Sequence, residues 1–141
     1  MLTDTTLQRF LDAQANDYPT ALAEIKNGRK RSHWMWYIFP QIQGLGFTET
    51  SRYYAIKDAA EAAAYLQHPV LGSRLAEICQ ALLAGVGTDA NRILGSPDDL
   101  KLKSSMTLFA AVPGASPVFT AVLAKFFAGV KDSKTLQILG K

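Results

Sequence analysis

Two stretches of this chain combine residue types at a spacing that chemistry can use. The first is Arg31-Ser32-His33-Trp34-Met35-Trp36-Tyr37-Ile38-Phe39-Pro40-Gln41, which contains both tryptophans and one of the two histidines. If it is helical, His33, Trp36 and Tyr37 share one face at i, i+3 and i+4. Arg31, His33, Trp34, Trp36, Tyr37 and Gln41 then form either the wall of a ligand pocket or a buried aromatic core. In the core reading His33 is satisfied by a backbone carbonyl, and in either reading each indole N–H needs a partner. The second stretch is Gly95-Ser96-Pro97-Asp98-Asp99-Leu100-Lys101-Leu102-Lys103-Ser104-Ser105-Met106. A carboxylate holds ribose hydroxyls or stabilises an oxocarbenium ion, and a lysine neutralises phosphate. Asp98 and Asp99 beside Lys101, Lys103 and Ser104 are therefore the materials of a sugar-phosphate site. A plain helix start explains the acids, which suit the dipole, but not the lysines. A smaller cluster, Ser51-Arg52-Tyr53-Tyr54, offers an arginine and phenols to an anion or simply edges the core.

Other motifs carry no chemistry. Gly85-Val86-Gly87-Thr88-Asp89-Ala90 imitates a dinucleotide fingerprint, but it follows a helical pattern and lacks the strand-to-helix turn that holds a pyrophosphate. Two histidines and one cysteine, none at ligand spacing, give no metal site. Cys79 lies on an apolar helix face and reads as a buried, inert thiol. His68, ahead of Pro69, reads as a capping or surface residue. Ser104-Ser105 has no nearby base, and as a pair reads as a helix cap.

Helices must position these groups. Leu7, Phe10, Leu11, Gln14 and Tyr18 form a first stripe capped by Thr3 or Asp4, with Pro19 placed to open a second helix and Gly28 to close it. Asp58 with Glu61 starts a helix over 59–67. Pro69 opens the clearest one, with Leu71, Leu75, Ile78, Cys79 and Leu82 on one face and Gly85 past its end. Further helices span 89–94, Ser116-Pro117 to Gly129 (face Phe119, Val122, Leu123, Phe126, Phe127) and 132–139. Leu100-Lys101-Leu102-Lys103 alternates like a strand, so the helix through Leu108 and Phe109 is expected to start after it. The expected fold is all-α: one compact domain over residues 1–141, about six to eight helices, and an irregular Pro/Gly loop near 40–48.

Composition agrees. The 141 residues are 48% apolar and 19% charged, with a net charge of +3, which suits a globular chain with a real core. The mildly basic balance favours anionic ligands without announcing a nucleic-acid binder. A single cysteine fits a reducing cytoplasm. No signal peptide is expected from the N-terminal residues, and no apolar run of about 18 residues predicts a membrane span.

At Ser32 to Gln41, Ser51 to Ile56, Tyr65 to Gly72 and Asp98 to Phe109 the chain resembles the bacterial domain-of-unknown-function family 1810, over nearly its whole length. That resemblance implies a helical fold and no established activity. Some members are labelled calpastatin, a disordered inhibitor, which this ordered composition does not support. A more distant similarity is to helical N-glycosidases acting on ADP-ribose and riboflavin-pathway intermediates. It rests on Tyr53 to Lys57, His68-Pro69, Gly95, Asp98, Lys101 to Lys103 and Leu123 to Phe126; their late Trp-Gly pair is missing here.

The residues thus lead to an expected small-molecule ligand, a nucleotide or sugar phosphate, with no cofactor required and hydrolysis of an N-glycosidic bond as the attached activity. Asp98 or Asp99 would steady charge at the anomeric carbon and orient water. Lys101, Lys103 and Arg52 would hold phosphate, and Trp34, Trp36 or Tyr54 would stack on a base. Substituting Asp98 at a helix start should cost only about 0.3–1 kcal/mol. One alternative is a nucleotide- or nucleic-acid-binding module using Lys26-Asn27-Gly28-Arg29-Lys30-Arg31 and the adjoining aromatics. Another is an interaction protein whose aromatics are only core.

Overall fold

The stripe of Leu7, Phe10, Gln14 and Tyr18 does not stop at Pro19. In the computed structural model, which describes residues 3–141 with side chains from Leu7 onward, it continues through Ala21 and Ile25 as one helix, α1 (Thr3–Lys26). The expected break is therefore absent. Pro19 removes one helical hydrogen bond, but the buried residues on both sides keep the i, i+3, i+4 spacing and face one core, which holds the helix together. Gly28 follows its end with φ +81°, where a residue without Cβ is favoured. The expected Thr3 or Asp4 cap lies outside the described side chains.

Eight further helices follow among the described residues: α2 (Met35–Ile38), α3 (Glu49–Tyr53), α4 (Ala59–Gln67), α5 (Leu71–Ala84), α6 (Ala90–Leu94), α7 (Asp98–Ala110), α8 (Val118–Phe127) and α9 (Ser133–Leu139). The fold is all-α. Among the described residues the only extended pairing is an isolated parallel bridge, Ile42 to Ile56. It closes the Pro/Gly loop, with Ile56 N–H donating to Gln41 O at 2.8 Å and Gln43 N–H to Ile56 O at 2.8 Å.

The two helix faces expected to meet do so. Leu71, Leu75, Ile78, Cys79 and Leu82 of α5 are buried in the same core as Phe119, Val122 and Leu123 of α8. Each such side chain contributes roughly 1.5–3 kcal/mol. Helix α5 also packs on α1 and α4, and α7 on α8 and α9. Its C-terminus does not use Gly85 in a left-handed cap, since Gly85 has φ −71°. Instead Lys125 of α8 donates Nζ–H to Leu82 O at 3.0 Å, Leu83 O at 3.0 Å and Gly85 O at 2.5 Å, an ammonium set where the dipole favours a cation. Cys79 is buried against Met106, and burial pushes its thiol pKa up.

A second expectation also fails. Leu100 to Lys103 is helical, not strand-like. Leu100 is 58% exposed and Leu102 0%; residues two apart share a face in a strand but lie on roughly opposite sides of a helix. Alternating charge had disguised a helix whose second half, Ser104 to Phe109, is buried. The Ser104-Ser105 pair is therefore helix interior rather than cap, with Ser104 Oγ–H bonding back to Leu100 O at 3.2 Å.

His68 caps α5 as expected. Its Nδ1 accepts the N–H groups of Val70 and Leu71 at 3.1 and 3.2 Å. The same junction explains Gly72: a Cβ there would sit 2.1 Å from Leu66 O and 2.9 Å from Leu66 C. That obstacle is backbone, which cannot rotate aside. Gly72→Ala should cost about 1–3 kcal/mol by overpacking, read as a lowered urea midpoint at unchanged m-value; a neutral substitution would mean the α4–α5 junction is looser than described.

Candidate functional site

The Arg31–Gln41 segment is placed by one carboxylate. Glu24, in the last turns of α1, accepts Arg31 N–H at 2.8 Å, Ser32 N–H at 3.0 Å, Ser32 Oγ–H at 2.6 Å and Trp34 Nε1–H at 2.9 Å. Trp34 is 1% exposed, so its indole N–H had to find such a partner. Burial opposes ionisation of Glu24, but the bonds from Ser32, Arg31 and Trp34 outweigh it and pull its pKa down to about 2. Further anchors follow. Tyr37 donates its hydroxyl hydrogen to Asp17, with His33 O also near the phenol oxygen at 3.1 Å, and Gln14 Nε2–H reaches Tyr37 O at 2.7 Å. Burial first, then the Asp17 bond, hold the Tyr37 phenol above its ordinary pKa, so it is a donor at neutral pH and not a base.

These contacts set Trp36 at the edge of a cavity of about 280 Å³. Its other walls come from distant parts of the chain: the Gln41–Gly46 loop, Arg52 and Tyr54 at α3, Pro97, Lys101 and Ser104 at α7, and Asp132 and Lys134 at α9. Arg9 fixes the α3 wall. It donates to Tyr53 O and Ala55 O, both at 2.8 Å, and pairs with Glu61 at 3.1 Å. Asp132 fixes the α9 wall: its N–H donates to Thr107 Oγ1 at 2.9 Å and its carboxylate accepts Thr135 N–H at 3.0 Å. The loop lies close over α3, because a Cβ on Gly46 would be 2.4 Å from Ser51 Oγ.

The two sequence constellations therefore meet in space. Lys101 Nζ lies 4.8 Å from the Trp36 ring centroid and 3.3 Å from Asp98 Oδ1. Lys30 Nζ lies 2.9 Å from Asp98 Oδ2 and 5.1 Å from the Trp34 ring. Indole, ammonium, carboxylate, ammonium and indole thus form one chain of contacts.

Of the predicted site residues, Trp36, Gln41, Arg52, Tyr54, Lys101 and Ser104 line the cavity. The remainder do not. Trp34 and Tyr37 are buried behind it, Tyr37 against the Tyr54 ring at 5.1 Å. Arg31 and His33 are exposed, away from the walls. Asp98 stands behind Lys101. Asp99 turns to Leu100 N–H at 2.9 Å and Asn91 Nδ2–H at 3.3 Å, and Lys103 lies off the cavity. Residues that sequence reasoning missed are Glu24, Asp132 and Lys134; only the partner requirement of a buried indole could have pointed to Glu24. Among the described residues no group of three or more His, Cys, Asp or Glu side chains is placed to hold a metal.

The fold and cavity define a small all-α protein with a largely apolar pocket that Arg52, Lys101, Lys134 and Asp132 also line. The chain belongs to the family described as protein of unknown function (DUF1810), whose model matches residues 4–139. It is similar to a conserved hypothetical protein, Rv1873 from Mycobacterium tuberculosis, whose crystal structure shares 46% identity at a TM-score of 0.93, covering 96% of both chains. No curated protein matches. Among the described residues no helix is long and apolar enough to cross a membrane.

Two measurements check this geometry. With a folded pKa near 2 against an ordinary 4.5, the contribution of ionised Glu24 is present above about 4.5 and fades as pH falls toward 2. Glu24→Gln should therefore destabilise the protein at pH 7, with the gap to wild type closing over that acid range in urea titrations. For Asp98, the low cost expected of a helix-start acid is revised. Lys30, whose side chain is only 8% exposed, would lose its partner, so Asp98→Ala should cost about 1–3 kcal/mol. Lys30→Met in the same chain should recover part of that loss; equal melting of Asp98→Ala and wild type would show the ion pair to be idle.

Proposed function

We propose that this cavity binds a small anionic metabolite carrying phosphate or ribose. The observation that carries the reading is charge convergence: Arg52, Lys101 and Lys134 arrive from three helices at one cavity whose only lining carboxylate among the described residues is Asp132. Among the described residues Arg52 and Lys134 have no ion-pair partner, and Lys101 shares its carboxylate with Lys30. Cations concentrated in a cleft with low-dielectric walls attract anions. At about 280 Å³ the cavity lies just below the usual range of ligand sites, about 300–1,000 Å³.

Binding is better supported than hydrolysis. Asp98 is spent on two lysines and Asp99 on α6 and its own helix start, and neither carboxylate lines the cavity. The alternative based on residues 26–31 is less well supported still. Lys30 is tied to Asp98, and Trp34 is buried rather than open for stacking.

The test is thermal melting of the full chain against sugar phosphates, nucleoside phosphates and their uncharged parents. A ligand at about 100 times its dissociation constant adds about 2.7 kcal/mol. Phosphorylated compounds should raise Tm where the parents do not. Lys101→Ala and Arg52→Ala, on half-buried and exposed side chains, should keep the fold and lose most of the shift. If no phosphorylated compound shifts the wild type, or both variants respond as it does, the reading fails.

A further inference from the structure

A nucleotide offers two handles, an aromatic base and a phosphorylated sugar, and the cavity is equipped for only one of them. Stacking needs a free aromatic face. Trp36 packs against the core and carries the Lys101 ammonium over its ring at 4.8 Å. Tyr54 also packs against the core and is surrounded by other rings: Tyr53 at 4.8 Å, Tyr37 at 5.1 Å and Phe10 at 6.1 Å. Among the described residues no other aromatic lines the cavity. The aromatic surface that suggests base recognition is thus already engaged by the protein itself.

The polar groups are not. Arg52 and Lys134 have no protein partner among the described residues, and neither does the side-chain amide of Gln41, a group with both donors and an acceptor. With Lys101 they supply three cations and an amide around a small cavity, two of the cations at its exposed rim. A phosphomonoester, at about −1.5 to −2 charge near pH 7, matches three cations better than a singly charged diester does. An amide reads hydroxyls. Asp132, the one lining carboxylate, can accept from hydroxyls too.

We infer that the cavity recognises a sugar carrying a terminal phosphate, a pentose phosphate in size, and leaves an attached base unrecognised. The inference rests on the ligand binding proposed above and narrows its ligand class. The base, where one is present, projects from the mouth, and its identity has little effect on affinity.

Calorimetric titration of the full chain with ribose 5-phosphate, AMP, adenosine and inorganic phosphate separates the possibilities. Ribose 5-phosphate and AMP should bind within roughly fivefold of each other, since the base adds no stacking. Adenosine and inorganic phosphate should each bind at least about tenfold more weakly than ribose 5-phosphate, because each lacks one of the recognised groups. Arg52→Ala and Lys134→Ala, both on exposed side chains, should weaken ribose 5-phosphate about tenfold or more while leaving the melting temperature of the free protein unchanged. Adenosine equal to AMP overturns the inference and removes the anion site as well, whereas AMP binding without ribose 5-phosphate binding overturns the inference while the anion site stands. Inorganic phosphate equal to ribose 5-phosphate overturns sugar recognition in the same way. Failure of all four to bind removes the anion site itself.

Discussion

A buried tryptophan cannot leave its N–H unpaired, and in this chain the group that answers it also directs the backbone. Glu24 takes the Trp34 indole, two successive backbone N–H groups and a serine hydroxyl. The turn leaving α1 is thereby folded back onto α1. Gln14, Asp17 and Glu24, spaced so that they share one side of that helix, each hold a different point of the returning segment: the Tyr37 carbonyl, the Tyr37 hydroxyl and the turn before Trp34. These three polar residues of α1 are held by the returning segment as its apolar stripe is held by the core. Trp36, two residues past the anchored Trp34, lines the cavity.

The electrostatics of the cavity follow from a carboxylate that never lines it. Asp98 faces two ammonium groups, one nearly buried, so the trio keeps a net positive charge. Lys101 is oriented by Asp98 and by the Trp36 face at the same time, and its long stem is not free to swing to solvent. That lowers the entropy lost when an anion arrives. Asp98 holds a cation in place, while Asp99 bonds Asn91 and its own helix start.

Much of the fold was open to sequence reasoning because apolar spacing is a direct image of burial. The α5 face, the α8 face, the Asp58 start of α4 and the loop after Pro40 all came from residues whose local neighbours decide their role. The errors arose where distant packing outvoted local signals. Pro19 suggests a boundary, but the core contacts of Tyr18, Ala21 and Ile25 carry the helix through it. Leu100 to Lys103 alternates, but Leu102 is drawn into the core while Leu100 is left outside. The site was half visible for the same reason. Aromatic and charge density flagged Trp36, Arg52 and Lys101, whereas Asp132 and Lys134 belong to no motif and become site residues only because α9 docks on α7.

The placement of the two tryptophans gives the molecule optical properties that can be stated in advance of any ligand. Trp34 is enclosed and hydrogen-bonded to a carboxylate, while Trp36 stands at the cavity under an ammonium. Their emission should therefore divide by depth. The Trp34 component, emitted from a dry environment, reports whether the chain is folded. The Trp36 component responds to whatever disturbs Lys101. Because the chain contains no other tryptophan, its native fluorescence separates loss of structure from occupancy of the cavity without a label.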